Sequence, residues 1–570
     1  MPAPLQIFLA WCLLLPAFCG IGLAAARLFP GPTERIGWPL AFWLGVAVVG
    51  PLLAAWHLFL PVDGRVWILL GPLAAAGLLL ERRDLLRLWP GRVPSLLGLA
   101  ALAFWLSTRA ALPGTAADDG LYYTQTVRWN SLYRAVPGLG NLHPFLALNQ
   151  AFHLIVAALG VGPFHLRGQH LANGLFLLAA IAPCAAALGH LLDPRRRPAA
   201  ADFFAALLFG VTLDATLTGD LSSPAADLAV TMAGTGLLVA ALGPALRQQR
   251  SGLRRTLAVI AACGGALVVK PSILCIAAPM ALFAAAHWLR TGPERRERAQ
   301  LTFAAALAAL AIAAPWVLHS LVLSGYLLYP SPAFALDVDW RMNHETVVSI
   351  FRWVHAFARW PGHADAEVSA SSAWIGHWFG REWLNDRTFL LPAVLAVAAS
   401  IALGVAAWRR RRPLFALSAA SAAAVLGVAL WWTLAPDTRF AGPLLWATSG
   451  LLTLAATSAW RPALDGEARV ALAAGVLAVA YGAFLPSVPL FTWRRDLPPL
   501  RHDQGAATAR LQSGETVRLS SNNLCWDPPC AWPPLDPALR LRRPGDWSSG
   551  FTITPLPIAP LPKASAPAPR

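Results

Sequence analysis

The sequence predicts an all-α fold, a polytopic bundle of membrane-spanning helices, and three observations predict it. The 570 residues are 57% hydrophobic and only 13% charged, more apolar than a soluble domain can bury. Apolar stretches of about 20 residues, enough to cross the hydrocarbon as helix, recur from end to end. The Ala/Leu/Val runs are continuous and lack the alternation of a β-barrel strand, so helix is the form that satisfies the backbone in lipid.

In chain order the predicted spans are 4–26, 36–60, 66–80, 95–107, 168–192, 202–219, 224–243, 254–269, 272–289, 301–323, 388–407, 414–434, 441–459 and 470–485. The first lacks a basic leader and runs on past Cys19-Gly20 into apolar sequence, so it reads as a span rather than a signal peptide. The stretch 150–162 is apolar but short, and reads as an interfacial or re-entrant helix.

Connections of two kinds alternate between these fourteen spans. Arginine-rich ones are Glu81–Pro94, Arg195–Arg197, Arg247–Arg255, Arg290–Arg298 and Arg409–Arg412. The others are Pro61–Arg65, 108–167, Gly219–Pro224, Lys270–Ser272, 324–387, Ala435–Phe440 and the tail from 486. The positive-inside rule puts the first set in the cytoplasm, and the second set and both termini outside. The net charge of +16 therefore reads as topology, not as a nucleic-acid surface. Lys270 and Lys563 are the only lysines, and the bias to Arg, Ala and Pro fits a GC-rich bacterial genome and hence an inner membrane.

Residues 1–485 thus form the bundle, with 108–167 and 324–387 as large outer loops. The tail, 486–570, is expected to hold a small folded patch at 515–553 and to be disordered from about 555, where Ala and Pro dominate. Cys525 and Cys530 lie close together in CWDPPC on the oxidising side, which favours a disulfide over a metal site. The other five cysteines sit in apolar runs as small buried residues.

Candidate chemistry gathers in the outer connections. Asp118 and Asp119 are adjacent carboxylates at the membrane surface. Such a pair can act as a base or hold a divalent cation, and it can equally cap a helix starting near Gly120. Gln125 and Arg128 follow about a turn apart, and Pro137–His143 makes a tight turn presenting Asn141 and His143. Asp227 lies one turn into a span, where an ionisable group is a functional candidate, whereas Ser223 suits a cap. Lys270 sits at a hairpin tip, able to snorkel or to meet a phosphate. Asp337, Asp339 and Arg341 share one face of an extended segment, and Asp437 and Arg439 occupy a short loop, with ion pairing as the structural alternative. His344, His355, His363 and His377 lack ligand spacing and read as surface residues. No Walker A loop, nucleotide fingerprint or HExxH occurs, which argues against an ATP-driven transporter or a zinc protease.

Together DDGLYYTQTVRW, VPGLGNLH, LSSPAADL, KPSIL, SGYLLYP, DVDWR, APDTRF and CWDPPC resemble a bacterial family of multi-spanning membrane proteins whose reaction is not established. The likeness covers most of the chain from about residue 95. Tyr122-Tyr123 stands where a Tyr-His pair is common in that family, so no role for that histidine carries over. More remotely the layout is similar to GT-C glycosyltransferases, which place acidic residues in the first large outer loop and use polyprenyl-phosphate sugars. That resemblance implies Asp118 or Asp119 as base or metal ligand, with Lys270, Arg341 and Arg439 as phosphate partners.

The function expected is transfer of a sugar from a polyprenyl-phosphate-type donor to an acceptor on the outer face. A polysaccharide polymerase or ligase shares the donor but not the fold. A lipid or solute transporter would need polar groups near the midplane and related halves, and neither is visible. A non-catalytic envelope-assembly subunit is the remaining alternative.

Overall fold

Helices occupy thirteen of the fourteen predicted spans in the computed structural model. The structure describes residues 1–82, 93–460 and 492–553, apart from 32–33, 35, 194, 196, 216–219, 384–385, 504–506 and 521–523. The predicted span 470–485 and the end from about 555 lie outside the described residues.

The bundle helices are α1 (Ala3–Ala26), α2 (Trp38–His57), α3 (Trp67–Leu80) and α4 (Val93–Ala110). The first large loop carries α5 (Thr124–Leu132) and α6 (Ala151–Ala158). Next come α7 (Gln169–Leu192), α8 (Ala200–Ala215), α9 (Ala226–Leu246), α10 (Leu253–Val269), α11 (Leu274–Leu289) and α12 (Arg295–Ser324). The second loop carries α13 (His344–Arg359) and α14 (Ala373–Glu382), and α15 (Leu391–Trp408), α16 (Phe415–Leu434) and α17 (Leu444–Trp460) follow.

Among the described residues eight helices are long and apolar enough to cross a membrane: α1, α2, α7, α9, α11, α12, α15 and α16, two of them with a preceding turn. That makes this a helical membrane protein. Over the described residues the other five bundle helices are shorter or less apolar than these eight. Helix α10 shows one physical reason. Pro271 excludes helical geometry at the preceding residue, and Lys270 is extended at φ −158°, ending the helix at Val269.

Glycines let the helices approach. Gly22 faces Ala41 while Gly45 faces Phe18, so a Cβ on either would collide with the partner backbone of the α1–α2 contact. Gly20 and Gly77 play the same part between α1 and α3. Lipid supplies no hydrophobic drive between helices, so such close packing is a main source of association. A buried polar chain adds a tie: His57 Nδ1 meets His319 Nε2 at 2.7 Å, His57 Nε2 meets the Tyr133 carbonyl at 3.0 Å, and His319 Nδ1 meets Asn149 Oδ1 at 2.9 Å. It joins α2, α12 and the first loop.

The all-α expectation needs a correction in the tail. Strands β1 (Thr508–Arg510), β2 (Thr516–Leu519) and β3 (Cys530–Ala531) form one small sheet, antiparallel then parallel. Strands β4 (Leu539–Leu541) and β5 (Phe551–Ile553) pair antiparallel. Alternation in 516–519 and 539–541 buries Val517, Leu539 and Leu541 against Tyr122, Trp129, Leu142 and Tyr326 of the two loops. These residues form a second core outside the helix bundle.

Helix α9 (Ala226–Leu246) carries Asp227 at its start and ends beside Arg247, and α10 (Leu253–Val269) returns to end beside Lys270. The bundle therefore has one end bearing Asp227 and Lys270, termed the arginine-poor end because its 270–272 turn carries no arginine, and an arginine-rich end at the 247–255 turn.

Candidate functional site

Asp118 and Asp119 are neighbours in sequence but go to different partners. The chain enters a π-helical turn, Asp119–Tyr123, before continuing as α5. Asp119 is 4% exposed and accepts the Ser223 hydroxyl. Ser223 in turn accepts from Ala225 N at 2.9 Å, just ahead of α9, while Asn173 of α7 donates to the Ser223 carbonyl at 2.9 Å. Asp119 therefore fastens the first loop to the start of α9.

Asp118 is half-buried and, among the described residues, receives one long hydrogen bond, 3.4 Å, from the Tyr123 hydroxyl. Its carboxylate lies in the field of Arg439, Asp227 and Lys270. Burial pushes its pKa above the usual carboxylate range; Arg439 and Lys270 pull it back, and Asp227 adds to the rise. Lys270 Nζ pairs with Asp227 Oδ1 at 2.5 Å, and the ammonium also lies 5.3 Å from the Phe440 ring. Arg439 Nη2 pairs with Asp437 Oδ2 at 3.3 Å, and Asp437 Oδ1 also takes the Arg439 N–H at 2.9 Å. Lys270 and Asp437 are buried, whereas the Arg439 side chain stays 47% exposed over Phe357 and Phe440. Three carboxylates and two cations thus meet at the arginine-poor end. They are contributed by the first loop, α9, the α10–α11 turn and the α16–α17 loop.

His153 of α6 stands beside this cluster, its ring centroid 5.2 Å from that of Tyr123, in the field of Lys270 and Asp227. Burial lowers its pKa to about 3, so it is neutral. Sequence reading passed over it because the segment around it is apolar. A histidine in such a segment was the available signal. The Tyr123 hydroxyl was missed in the same way, as one member of an aromatic face.

The remaining predicted residues are not in this cluster. Gln125 is fully buried, and its Oε1 accepts from Cys530 N at 3.2 Å and from Trp129 Nε1 at 3.1 Å. Arg128 is also buried: it pairs with Asp527 and donates to the carbonyls of Trp526 at 2.9 Å and Arg501 at 2.8 Å. Asn141 donates to the Trp340 carbonyl at 3.0 Å. His143 is buried, its ring 5.1 Å from that of Trp532, and burial lowers its pKa to about 3. Asp339 accepts from Arg542 Nε at 2.8 Å, and Arg341 makes only an exposed contact of 3.7 Å with Asp337.

These contacts explain the VPGLGNLH segment physically. Pro137 O accepts from Phe551 N at 2.8 Å, and Leu142 O accepts from Trp532 N at 3.1 Å. Gly138 has φ +65°, and a Cβ there would strike the carbonyls of Phe551 and Trp340. The segment is where the first loop, the second loop and the tail interlock. Cys525 and Cys530 are bonded, with Cα atoms 5.6 Å apart, and Cys525 N donates to Gly120 O at 2.5 Å. Among the described residues no three His, Cys, Asp or Glu side chains converge as metal ligands.

A family model described as Domain of unknown function (DUF8201) matches residues 5–446. The chain belongs to this family. The DUF8201 match takes in Asp118, Asp227, Lys270, Asp437, Arg439 and the VPGLGNLH segment, whereas Asp527, Trp532 and Phe551 of the tail lie beyond it. No curated protein and no solved structure matches the chain.

Proposed function

We propose that the protein transfers a sugar from a polyprenyl-phosphate-type donor to an acceptor hydroxyl at its arginine-poor end. The same proposal takes that end as the outer face of a bacterial inner membrane, the bundle as fourteen spans, and the architecture as GT-C-like. The observation that carries it is Asp118: a half-buried carboxylate without a salt bridge among the described residues, beside Lys270 and Arg439.

In the transfer, Asp118 takes the acceptor's hydroxyl proton as the acceptor oxygen bonds to the sugar's anomeric carbon. The bond from that carbon to the phosphate oxygen breaks, and the phosphate leaves with the electron pair. Arg439, half-exposed and aimed over aromatic rings, and Lys270 stabilise the charge on the leaving phosphate. Asp227 and Asp437 hold the two cations in place. A carboxylate with a raised pKa is a stronger base than an ordinary one, which suits proton abstraction.

The test is a deletion strain carrying wild-type or Asp118→Asn protein, with lipid-linked sugars analysed from its membranes. The reading expects a lipid-linked sugar to accumulate in the deletion strain and with the Asn variant, and to be consumed with wild type. Consumption at the wild-type rate with the Asn variant overturns it.

A further inference from the structure

The arginine-rich end of the bundle holds a cavity of about 570 Å³, a volume in the range of small-molecule sites. It lies between the start of α2, the end of α7, the start of α8, the end of α9 and the start of α10. Along helix α9 its first lining residue, Val239, lies roughly 18 Å of helix from Asp227. The cavity is thus a second site on the opposite side of the bundle.

Its chemistry is divided. One side carries Arg247, Arg250 and Arg255, and another is apolar, formed by Trp38, Leu40 and Phe204 among others. Arg247 is engaged by Asp202 at 2.6 Å. Among the described residues Arg255 makes one hydrogen bond, from Nη2 to the Ala240 carbonyl at 3.2 Å, which leaves its Nε and Nη1 donors for the cavity. Arg250 is exposed at the mouth. Among these cations stands one carboxylate, Glu34, whose Oε2 is buried with no partner among the described residues. Oε2 packs against Gly252, so Oε1 is the oxygen that faces the cavity, in the field of Arg255.

We propose that this cavity binds a phospholipid of the ethanolamine type. Its phosphodiester meets Arg250 and Arg255, its ammonium meets Glu34 Oε1, and its acyl chains run along the apolar wall. A phosphate ester alone would satisfy the arginines and leave Glu34 repelled. A headgroup carrying both charges satisfies each side. Trp38 marks the start of α2 at the level where headgroups lie, since Trp favours the membrane interface. Basic pockets between helix ends are known lipid-headgroup acceptors. The proposal is independent of sugar transfer, because it uses none of those residues.

The phosphoryl group could come from lipid or from soluble phosphate, and the test separates them. Full-length protein in detergent is incubated with phosphatidylethanolamine or phosphatidylglycerol, and bound lipid is counted by native mass spectrometry. Wild type should retain phosphatidylethanolamine in preference to phosphatidylglycerol, and millimolar inorganic phosphate should not displace it. Arg255→Gln should weaken retention about tenfold, as loss of a charge-assisted contact does. Arg250→Gln, at an exposed position that leaves the fold intact, should weaken it in the same direction. Glu34→Gln should erase the preference for ethanolamine while phosphatidylglycerol still binds. Equal retention by wild type and both arginine variants overturns the site, and displacement by inorganic phosphate overturns its assignment to lipid. An unchanged preference in Glu34→Gln overturns the ammonium contact.

Discussion

Two groups of polar residues stand at the arginine-poor end, and they differ in where their partners lie. In the interlock, Gln125, Arg128 and Asn141 bond to backbone carbonyls, an N–H group and the half-buried Asp527 carboxylate of the tail or second loop, although Gln125 Nε2 and Arg128 Nε stay buried with no partner among the described residues. In the cluster, Asp118 has one long hydrogen bond among the described residues, and Arg439 keeps nearly half its side chain open. Bonds that reach from the first loop to the tail and the second loop mark a fastening. Open bonding next to opposite charge marks a place where something else can bind. Both groups look alike as residue types. What separates them is where the partner lies.

This contrast makes predictions that can be ranked by size. Arg128→Ala removes the nearest cation of the half-buried Asp527, which keeps Arg518 and His502, and the donor to two carbonyls, a loss of roughly 1.5–3 kcal/mol. Limited proteolysis should show the tail released from the loops. A tail as resistant as in wild type would dissolve the distinction between the groups. Replacing Cys525 with Ser opens the loop to Cys530 and should destabilise the tail by about 2 kcal/mol in the chain-entropy model. Thiol labelling after mild heating reads this out, with Cys530 reacting only in the variant.

Asp119→Asn keeps an acceptor for Ser223 but removes the charge from that bond, which should cost about 1 kcal/mol. Thermal unfolding in detergent checks it, and a loss of transfer much larger than the loss of folded protein would move Asp119 into the cluster. Asp118→Asn should cost nothing in stability, and below that lies a pH effect of definite sign. Burial raises the Asp118 pKa, so the folded chain binds this proton where the unfolded chain has released it. The corresponding stability is full at low pH and is lost as pH rises through the raised value. The Asn variant should lack that slope, and an identical slope in both proteins would show that Asp118 is not the titrating group.

Much of the fold was legible in sequence, because the length and hydropathy of a crossing helix are local properties. The helices at 3–26, 38–57 and 169–192 follow directly from their apolar runs. The tail sheets were less legible: strands of two to four residues, set among prolines, offer almost no period to read. Within the site, Asp227 with Lys270 and Asp437 with Arg439 could be gathered because short connections confine them near the bundle end. The interlock could not be separated from the cluster on the same grounds. Arg128 meets Asp527 across 399 positions and Asp339 meets Arg542 across 203, and no local pattern encodes either partner. The split between Asp118 and Asp119 was hidden for a related reason, since Ser223 is 104 positions away.

The central claim is that the open cluster, not the interlock, performs the transfer. Asp118→Asn and Asp339→Asn test it together, since each neutralises one carboxylate of the two outer loops. Each is placed in the deletion strain at equal membrane levels, and lipid-linked sugars are followed over time. The account predicts that the lipid-linked sugar persists with Asp118→Asn and is consumed with Asp339→Asn. Consumption with Asp118→Asn, or persistence with Asp339→Asn while the tail remains protease-resistant, would contradict it.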